Sequence, residues 1–273
     1  MLIGGREFDT KNGVYIMGIL NVTPDSFSDG GRWTDMDAAL RQAERMAAEG
    51  AAIIDVGGES TRPGHTPVDA REEASRVLPV IEAVKRETGL PVSVDTYKAE
   101  VARAAVQAGA DMVNDVWGLR LDGGKMAEFI AESGLACCLM HNRMRAEYTD
   151  FMAEVLSDLG DTLRIADAAG IARDKIILDP GIGFAKSYEQ NLTAMGRLGE
   201  LKALGCPVLL AASRKSVIGL TLDLPADDRL EGTLATTAIG VLRGASFIRA
   251  HDVKENLRAA RMALAIRKEA DIG

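Results

Sequence analysis

Ser213, Arg214, Lys215 and Ser216 follow directly on the apolar run Pro207 to Ala212, so two hydroxyls and two cations stand at the end of a segment that reads as a buried strand. The same change from apolar to polar recurs at seven other places. Asn21 follows YIMGIL, Asp55 and Gly57 close AAIIDV, Asp95 follows PVSV, and Asn114 follows DMV. His141 follows LACCLM, Asp179 follows KIIL, and Arg249 with His251 follows SFI. Carboxylates and amides of this kind hold a ligand rich in hydrogen-bond donors, while Arg, Lys and His meet an anion. Those groups can act together only if their strand ends converge, and in a barrel of parallel strands all such ends open on one mouth.

The segments between the strands are helical in pattern. Asp37 to Glu49 places Ala38, Ala39, Ala43, Met46 and Ala47 near one face, and Val101, Ala102, Ala105 and Val106 repeat that spacing before Gly109. Further helices are expected at Asp69 to Thr88, Lys125 to Ser133, Asp150 to Ala169, Ser187 to Ala203, Leu230 to Arg243 and Asp252 to Glu269. Eight strand-helix units with no linker between them predict an α/β fold in one domain, a (β/α)8 TIM barrel. An open doubly wound sheet is the alternative that the alternation leaves standing.

A chain of 273 residues with 47% hydrophobic content suits one such barrel, which takes about 250 residues. The net charge of −8 argues against a nucleic-acid backbone binder, so an anionic ligand has to meet a local cluster of cations. Three cysteines, two of them adjacent at Cys137 and Cys138, match no zinc spacing and leave one unpaired in any disulfide scheme. Packing as small apolar side chains explains them better than catalysis does. The cysteines suit a reducing cytoplasm, and a soluble, unprocessed chain is expected because MLIGGREFDT lacks a basic region followed by an apolar stretch and no run has the length of a membrane span.

Two long loops leave the first and second strands, NVTPDSFSDGG (Asn21 to Gly31) and GGESTRPG (Gly57 to Gly64). Their Ser, Thr, Asp and Arg side chains suit anion handling, and Phe27 and Pro63 offer apolar walls. These loops stand in one ordered series with SVDTYKAEVA, AGADMVNDVWG, LDPGIGFAK, SRKSVIG, EGTLATT and RAHDV. In order and spacing, from Val14 to Asn256, that series resembles the dihydropteroate synthase family. The resemblance implies a (β/α)8 barrel that joins 6-hydroxymethyl-7,8-dihydropterin pyrophosphate to p-aminobenzoate, releasing pyrophosphate and 7,8-dihydropteroate with Mg²⁺ as cofactor.

The resemblance also implies roles. Asp95, Asn114, Asp179 and Lys215 bind the pterin, with Asp179 the bidentate acceptor, and Arg249 stacks on the ring while facing the leaving group. Asn21, Thr61, Arg249 and His251 take the pyrophosphate, and Asn21 is the expected Mg²⁺ ligand. Phe27, Arg62, Pro63, Phe184, Lys215 and Ser216 surround p-aminobenzoate. A dissociative reaction follows, in which Asp29 stabilises a cationic methylene, with Arg62, Lys215, Arg249 and His251 completing the catalytic set. The aromatic amine is neutral near pH 7, so no Ser or Cys nucleophile is required.

Ala185, Ala211 and Val217 depart from the commoner family pattern and bear on the shape of the aminobenzoate pocket, and so on its response to sulfonamide analogues. Two other readings compete. A corrinoid-linked methyltetrahydrofolate methyltransferase would use Asp95 and Asn114 but leave GGESTRPG and SRKS without a role, and a non-catalytic pterin-binding paralogue would not need Asn21, Asp29, Arg62, Lys215, Arg249 and His251 together. The resemblance further implies a homodimer through the last two helices, where Leu234, Ala235, Ala238, Ile239, Val241 and Leu242 exceed the apolar content of a solvated rim.

Overall fold

Residues 1–23, 32–59 and 67–270 are described by a computed structural model, and side-chain statements exclude residues 32–35. The expectations placed on Phe27, Asp29, Thr61, Arg62 and Pro63, and on most of both long loops, lie outside the described residues.

Eight parallel strands form the barrel: β3 (Tyr15–Asn21), β4 (Ile53–Gly57), β5 (Val92–Asp95), β6 (Met112–Asp115), β7 (Ala136–Met140), β8 (Ile176–Asp179), β9 (Leu209–Leu210) and β10 (Phe247–Ala250). Their order is β8-β7-β6-β5-β4-β3-β10-β9. Closure comes from a parallel bridge between Leu178 and Val208, beside which the Leu178 N–H donates to the Pro207 carbonyl at 2.9 Å. The open doubly wound alternative is thereby excluded.

Helices α1 (Arg32–Glu49), α2 (Ala70–Thr88), α3 (Ala99–Gln107), α4 (Lys125–Ser133), α5 (Phe151–Ala169), α6 (Tyr188–Gly196), α7 (Ser216–Leu222), α8 (Leu230–Leu242) and α9 (Val253–Glu269) surround it. Local chemistry sets their ends. The Asp69 carboxylate accepts the Glu72 N–H at 2.8 Å to start α2, and Gly89 ends it at a φ of 63°. Ser187 and Gln190 close a reciprocal capping box on α6. The helix expected over Ser187 to Ala203 is in fact two pieces, because α6 ends at Gly196 and Leu198–Leu204 winds more tightly as a 3₁₀ turn.

Period-two alternation along each strand sorts the side chains into two environments. Outward residues such as Ile16, Ile54, Val94, Val113 and Leu139 pack under the helices. On this face Gly18 is required by close approach, since a Cβ there would lie 2.9 Å from Met46 Sδ and 3.3 Å from Val253 Cγ2. Inward residues Met17, Ile53, Met112, Cys138, Ile177, Leu209 and Phe247 fill the barrel. A hairpin missed in the sequence reading, β1 (Leu2–Ile3) with β2 (Arg6–Glu7), plugs the lower end with Ile3 and Phe8. Phe8 meets Tyr15 edge-on at 4.8 Å between ring centroids.

Candidate active site

Two residues beyond the apolar layer, the same alternation brings polar side chains inward. Ile53 is followed by Asp55, Met112 by Asn114, Ile177 by Asp179, and Phe247 by Arg249. Strand register sets them side by side: Gly57 pairs with Asp95, Asp95 with Asn114, and Met140 with Asp179. Asp55, Asp95, Asn114 and Asp179 are all buried.

Arg249 links this ring. Its Nε donates to Asp55 Oδ2 at 2.6 Å and its Nη2 to Asp95 Oδ2 at 2.7 Å. Asn114 Nδ2 also donates to Asp55 Oδ2, at 3.1 Å, which fixes the amide and leaves Asn114 Oδ1 as an acceptor. Asp55 Oδ1 and Asp95 Oδ1 are buried without a hydrogen-bond partner among the described residues. Burial pushes the Asp95 carboxyl up to about 7, against the pull of Arg249. Burial also raises Asp179, opposed by Lys215 and by the Gly181 N–H that Asp179 Oδ1 accepts at 2.7 Å.

On the other side of the mouth stands the SRKS turn. Lys215 donates to the Ile182 carbonyl, and its ammonium lies 4.9 Å from the centroid of the Phe184 ring. Burial lowers Lys215 to about 8, and Asp179 works against that fall. Ser216 opens α7 and is exposed. Arg214 holds the turn in place from a left-handed backbone at φ 58°. Its N–H donates to Thr233 Oγ1 at 3.1 Å, its Nε to Asp252 at 3.0 Å, and its carbonyl accepts Arg229 Nη1 at 2.9 Å. EGTLATT and RAHDV thus brace the segment that presents Lys215.

His251 follows β10, and its backbone N–H donates to Ser213 Oγ at 3.2 Å. The same hydroxyl lies 2.9 Å from His251 Nδ1, so Ser213 holds both the backbone and the ring of His251. Asn21 ends β3 beside Gly57, where a Cβ would stand 3.6 Å from Asn21 Oδ1 and 3.5 Å from Asp95 Cβ. Glycine keeps that space open. At the root of the second loop Tyr97 donates to Glu59 at 2.8 Å, and Lys98 reaches both Glu59 and Glu73.

Asp95, Asn114, Asp179, Lys215 and Arg249 therefore converge as expected, with Asn21 and His251 at adjoining strand ends and Phe184 and Ser216 flanking Lys215. Sequence reasoning gave no role to Asp55, although its place two residues after Ile53 was a usable signal. It named His141 at a strand end without giving it a role and did not single out Lys186, yet His141 Nδ1 and Lys186 Nζ meet at 2.9 Å. Val241, counted toward an exposed helical face, lies on the buried face of α8 instead. Cys137, Cys138 and Cys206 are free and buried, and burial raises all three thiols, which fits packing and not nucleophilic chemistry.

The family described as pterin binding enzyme matches residues 17–251. A dihydropteroate synthase of Clostridium beijerinckii is 54% identical over 263 residues, covering 96% of this chain and 97% of that protein. A Clostridium difficile dihydropteroate synthase solved in the presence of pteroic acid superposes with a TM-score of 0.93 at 51% identity, over 95% of this chain and 99% of that one. The Xanthomonas albilineans dihydropteroate synthase solved with 4-aminobenzoic acid gives 0.90 at 43% identity, over 98% and 97% of the two chains.

Proposed function

The chain belongs to the dihydropteroate synthase family of pterin-binding enzymes, and we propose that the ring around Arg249 joins 6-hydroxymethyl-7,8-dihydropterin pyrophosphate to p-aminobenzoate, forming 7,8-dihydropteroate and pyrophosphate. The observation that carries this assignment of residues is the cluster of inward acceptors, Asp179, Asn114 Oδ1 and the unpartnered Asp95 Oδ1, facing cationic Lys215 and Arg249. A pterin edge presents an amino group and ring N–H donors beside a carbonyl, and this set complements both.

Asp179 accepts from the amino and ring N–H groups, while Lys215 answers the carbonyl. Arg249, fixed at Nε and Nη2, keeps its planar face for the ring and its charge for the departing pyrophosphate. Asn21, His251 and, by family resemblance, Thr61 receive the phosphate oxygens. Phe184, Lys215 and Ser216 form the aminobenzoate end, to which Phe27, Arg62 and Pro63 are assigned by family resemblance alone. The C–O bond to pyrophosphate breaks first, Asp29 offsets the charge of the resulting methylene, and the neutral amine nitrogen attacks that carbon and then sheds a proton.

Mg²⁺ would be held by the hard amide oxygen of Asn21 at the end of β3, beside Gly57. There it would neutralise the pyrophosphate held by Asn21. Among the described residues no group of three or more His, Cys, Asp or Glu could hold a metal ion.

The enzyme acts as a homodimer through α8 and α9, where Ile239, Met262 and Ile266 are exposed. Light scattering at micromolar concentration should give twice the 29.1 kDa chain mass, and a monomer would remove this part of the reading. No helix among the described residues is long and apolar enough to cross a membrane, and three unpaired buried thiols suit the cytoplasm. One incubation with both substrates and Mg²⁺ tests the function. Pyrophosphate and dihydropteroate should appear in equal amounts, whereas binding without turnover would identify a non-catalytic pterin binder.

A further inference from the structure

The segment from Gly181 to Lys186 carries three left-handed residues, Gly181, Gly183 and Ala185, at φ 72°, 83° and 42°. Such a path needs external ties, because it makes few regular backbone hydrogen bonds. Lys186 supplies the central one. Its Nζ lies 2.9 Å from His141 Nδ1 and donates to the Phe184 carbonyl at 3.0 Å. The segment rests directly against the end of β7, since a Cβ on Gly181 would lie 2.0 Å from the His141 carbonyl oxygen and 3.2 Å from Lys186 Nζ.

Behind His141 the support continues. Its Nε2 meets Asp158 Oδ2 at 3.0 Å on α5, and Arg143 Nε donates to the same oxygen at 2.6 Å. Arg143 also donates to Glu154 at 2.8 Å. Asp158 fixes the Nε2–H tautomer, which turns the Nδ1 lone pair toward Lys186. Burial holds His141 neutral, down to about 4, and lowers Lys186 to about 7. As amine or ammonium, Lys186 still has N–H groups for both acceptors.

We propose that Lys186, propped by His141 and by the Asp158–Arg143 pair behind it, is a positioning residue for the condensation: it fixes the 181–186 segment so that Phe184 stays against Lys215 and shapes the aminobenzoate end of the mouth. This inference rests on the function proposed above. The consequence falls first on the second substrate, because Lys186 bonds the Phe184 carbonyl directly, whereas Asp179 takes its hydrogen bond from the Gly181 N–H at the other end of the segment.

Lys186→Met keeps the aliphatic stem and removes the donor. At saturating pterin pyrophosphate it should raise KM for p-aminobenzoate by about tenfold or more, with pterin affinity by calorimetry and kcat each within about threefold of the parent enzyme. His141→Leu should do the same. His141→Asn, whose Oδ1 stands in for Nδ1, should return KM to within about threefold. A folded Lys186→Met enzyme with unchanged aminobenzoate KM would overturn the proposal, as would an equal loss in pterin affinity. Failure of His141→Asn to rescue would do so too. If Lys186→Met does not fold, His141→Leu is read against the same thresholds. An unsubstituted enzyme that makes no dihydropteroate defeats the functional reading instead, so the two failures are distinguishable.

Discussion

Asp55 Oδ2 receives Arg249 Nε at 2.6 Å from beneath the mouth, and the carboxylate is wholly enclosed. Because the same oxygen also holds Asn114 Nδ2, one buried acceptor orients two residues of the pterin site. Removing one partner of a buried pair leaves an uncompensated charge, so Asp55→Ala should cost about 3 kcal/mol of stability. Pterin binding should weaken as well, since Arg249 would keep only its Asp95 contact. Urea unfolding and calorimetry check both effects. A stability loss under about 1 kcal/mol would mean that Asp95 alone suffices to hold Arg249.

Asp179→Asn tests pterin recognition without disturbing charge pairs beneath it. An amide accepts through one oxygen only and places a donor where the carboxylate had a second acceptor. A charge-assisted hydrogen bond contributes about 1.5 to 3 kcal/mol, so pterin affinity should fall by about tenfold or more. Gly181 can still donate to the remaining oxygen, and the fold should persist. Unchanged calorimetric affinity would refute the role given to Asp179.

How far the sequence revealed this arrangement depends on what each residue obeys. Asp95, Asn114, Asp179 and Arg249 obey strand periodicity, so their convergence was readable once eight apolar runs were recognised. Asp55 obeyed the same rule but lies one layer lower, where a carboxylate supports other residues and leaves no motif of its own. The Lys186–His141 contact spans 45 residues and depends on how two loops pack, which no local pattern encodes. The β1–β2 hairpin escaped notice because two-residue strands have too little alternation to register. The break after Gly196 was visible as a glycine, yet apolar Leu198 and Leu201 continue past it within the helix expected to Ala203.

Ala185 is one of the three departures from the pattern that the sequence resembles, and its φ of 42° gives it a physical meaning. A left-handed alanine is strained by about 1 to 2 kcal/mol relative to a helical or extended one. Its carbonyl accepts the Tyr148 hydroxyl at 2.9 Å, which holds the strained path. Ala185→Gly should therefore stabilise the protein by about 1 kcal/mol, the relief being reduced by glycine's greater freedom when unfolded. Urea midpoints of the two proteins measure it, and a destabilised variant would show that the alanine methyl contributes packing that outweighs the strain.

His141 should leave a signature in the pH dependence of folding. It sits at about 4 in the folded protein against an ordinary 6.5, because burial disfavours its cation. Between those values the unfolded chain binds the proton more readily, so this contribution is intact above pH 6.5 and is lost as pH falls toward 4. Asp95 at about 7 and Asp115 at about 6 act oppositely, since a raised carboxyl favours the folded state on acidification. Asp158, Lys186 and Arg143 face the ring and remain in both proteins of a comparison between the parent enzyme and His141→Asn. The stability advantage of the parent over the variant should shrink by about 2 kcal/mol between roughly pH 7 and pH 4.5. Urea unfolding across that range provides the measurement. Two parallel curves would show that His141 is as easily protonated inside the fold as outside it, and a ring that accepts a second proton so readily could not keep its Nδ1 lone pair for Lys186.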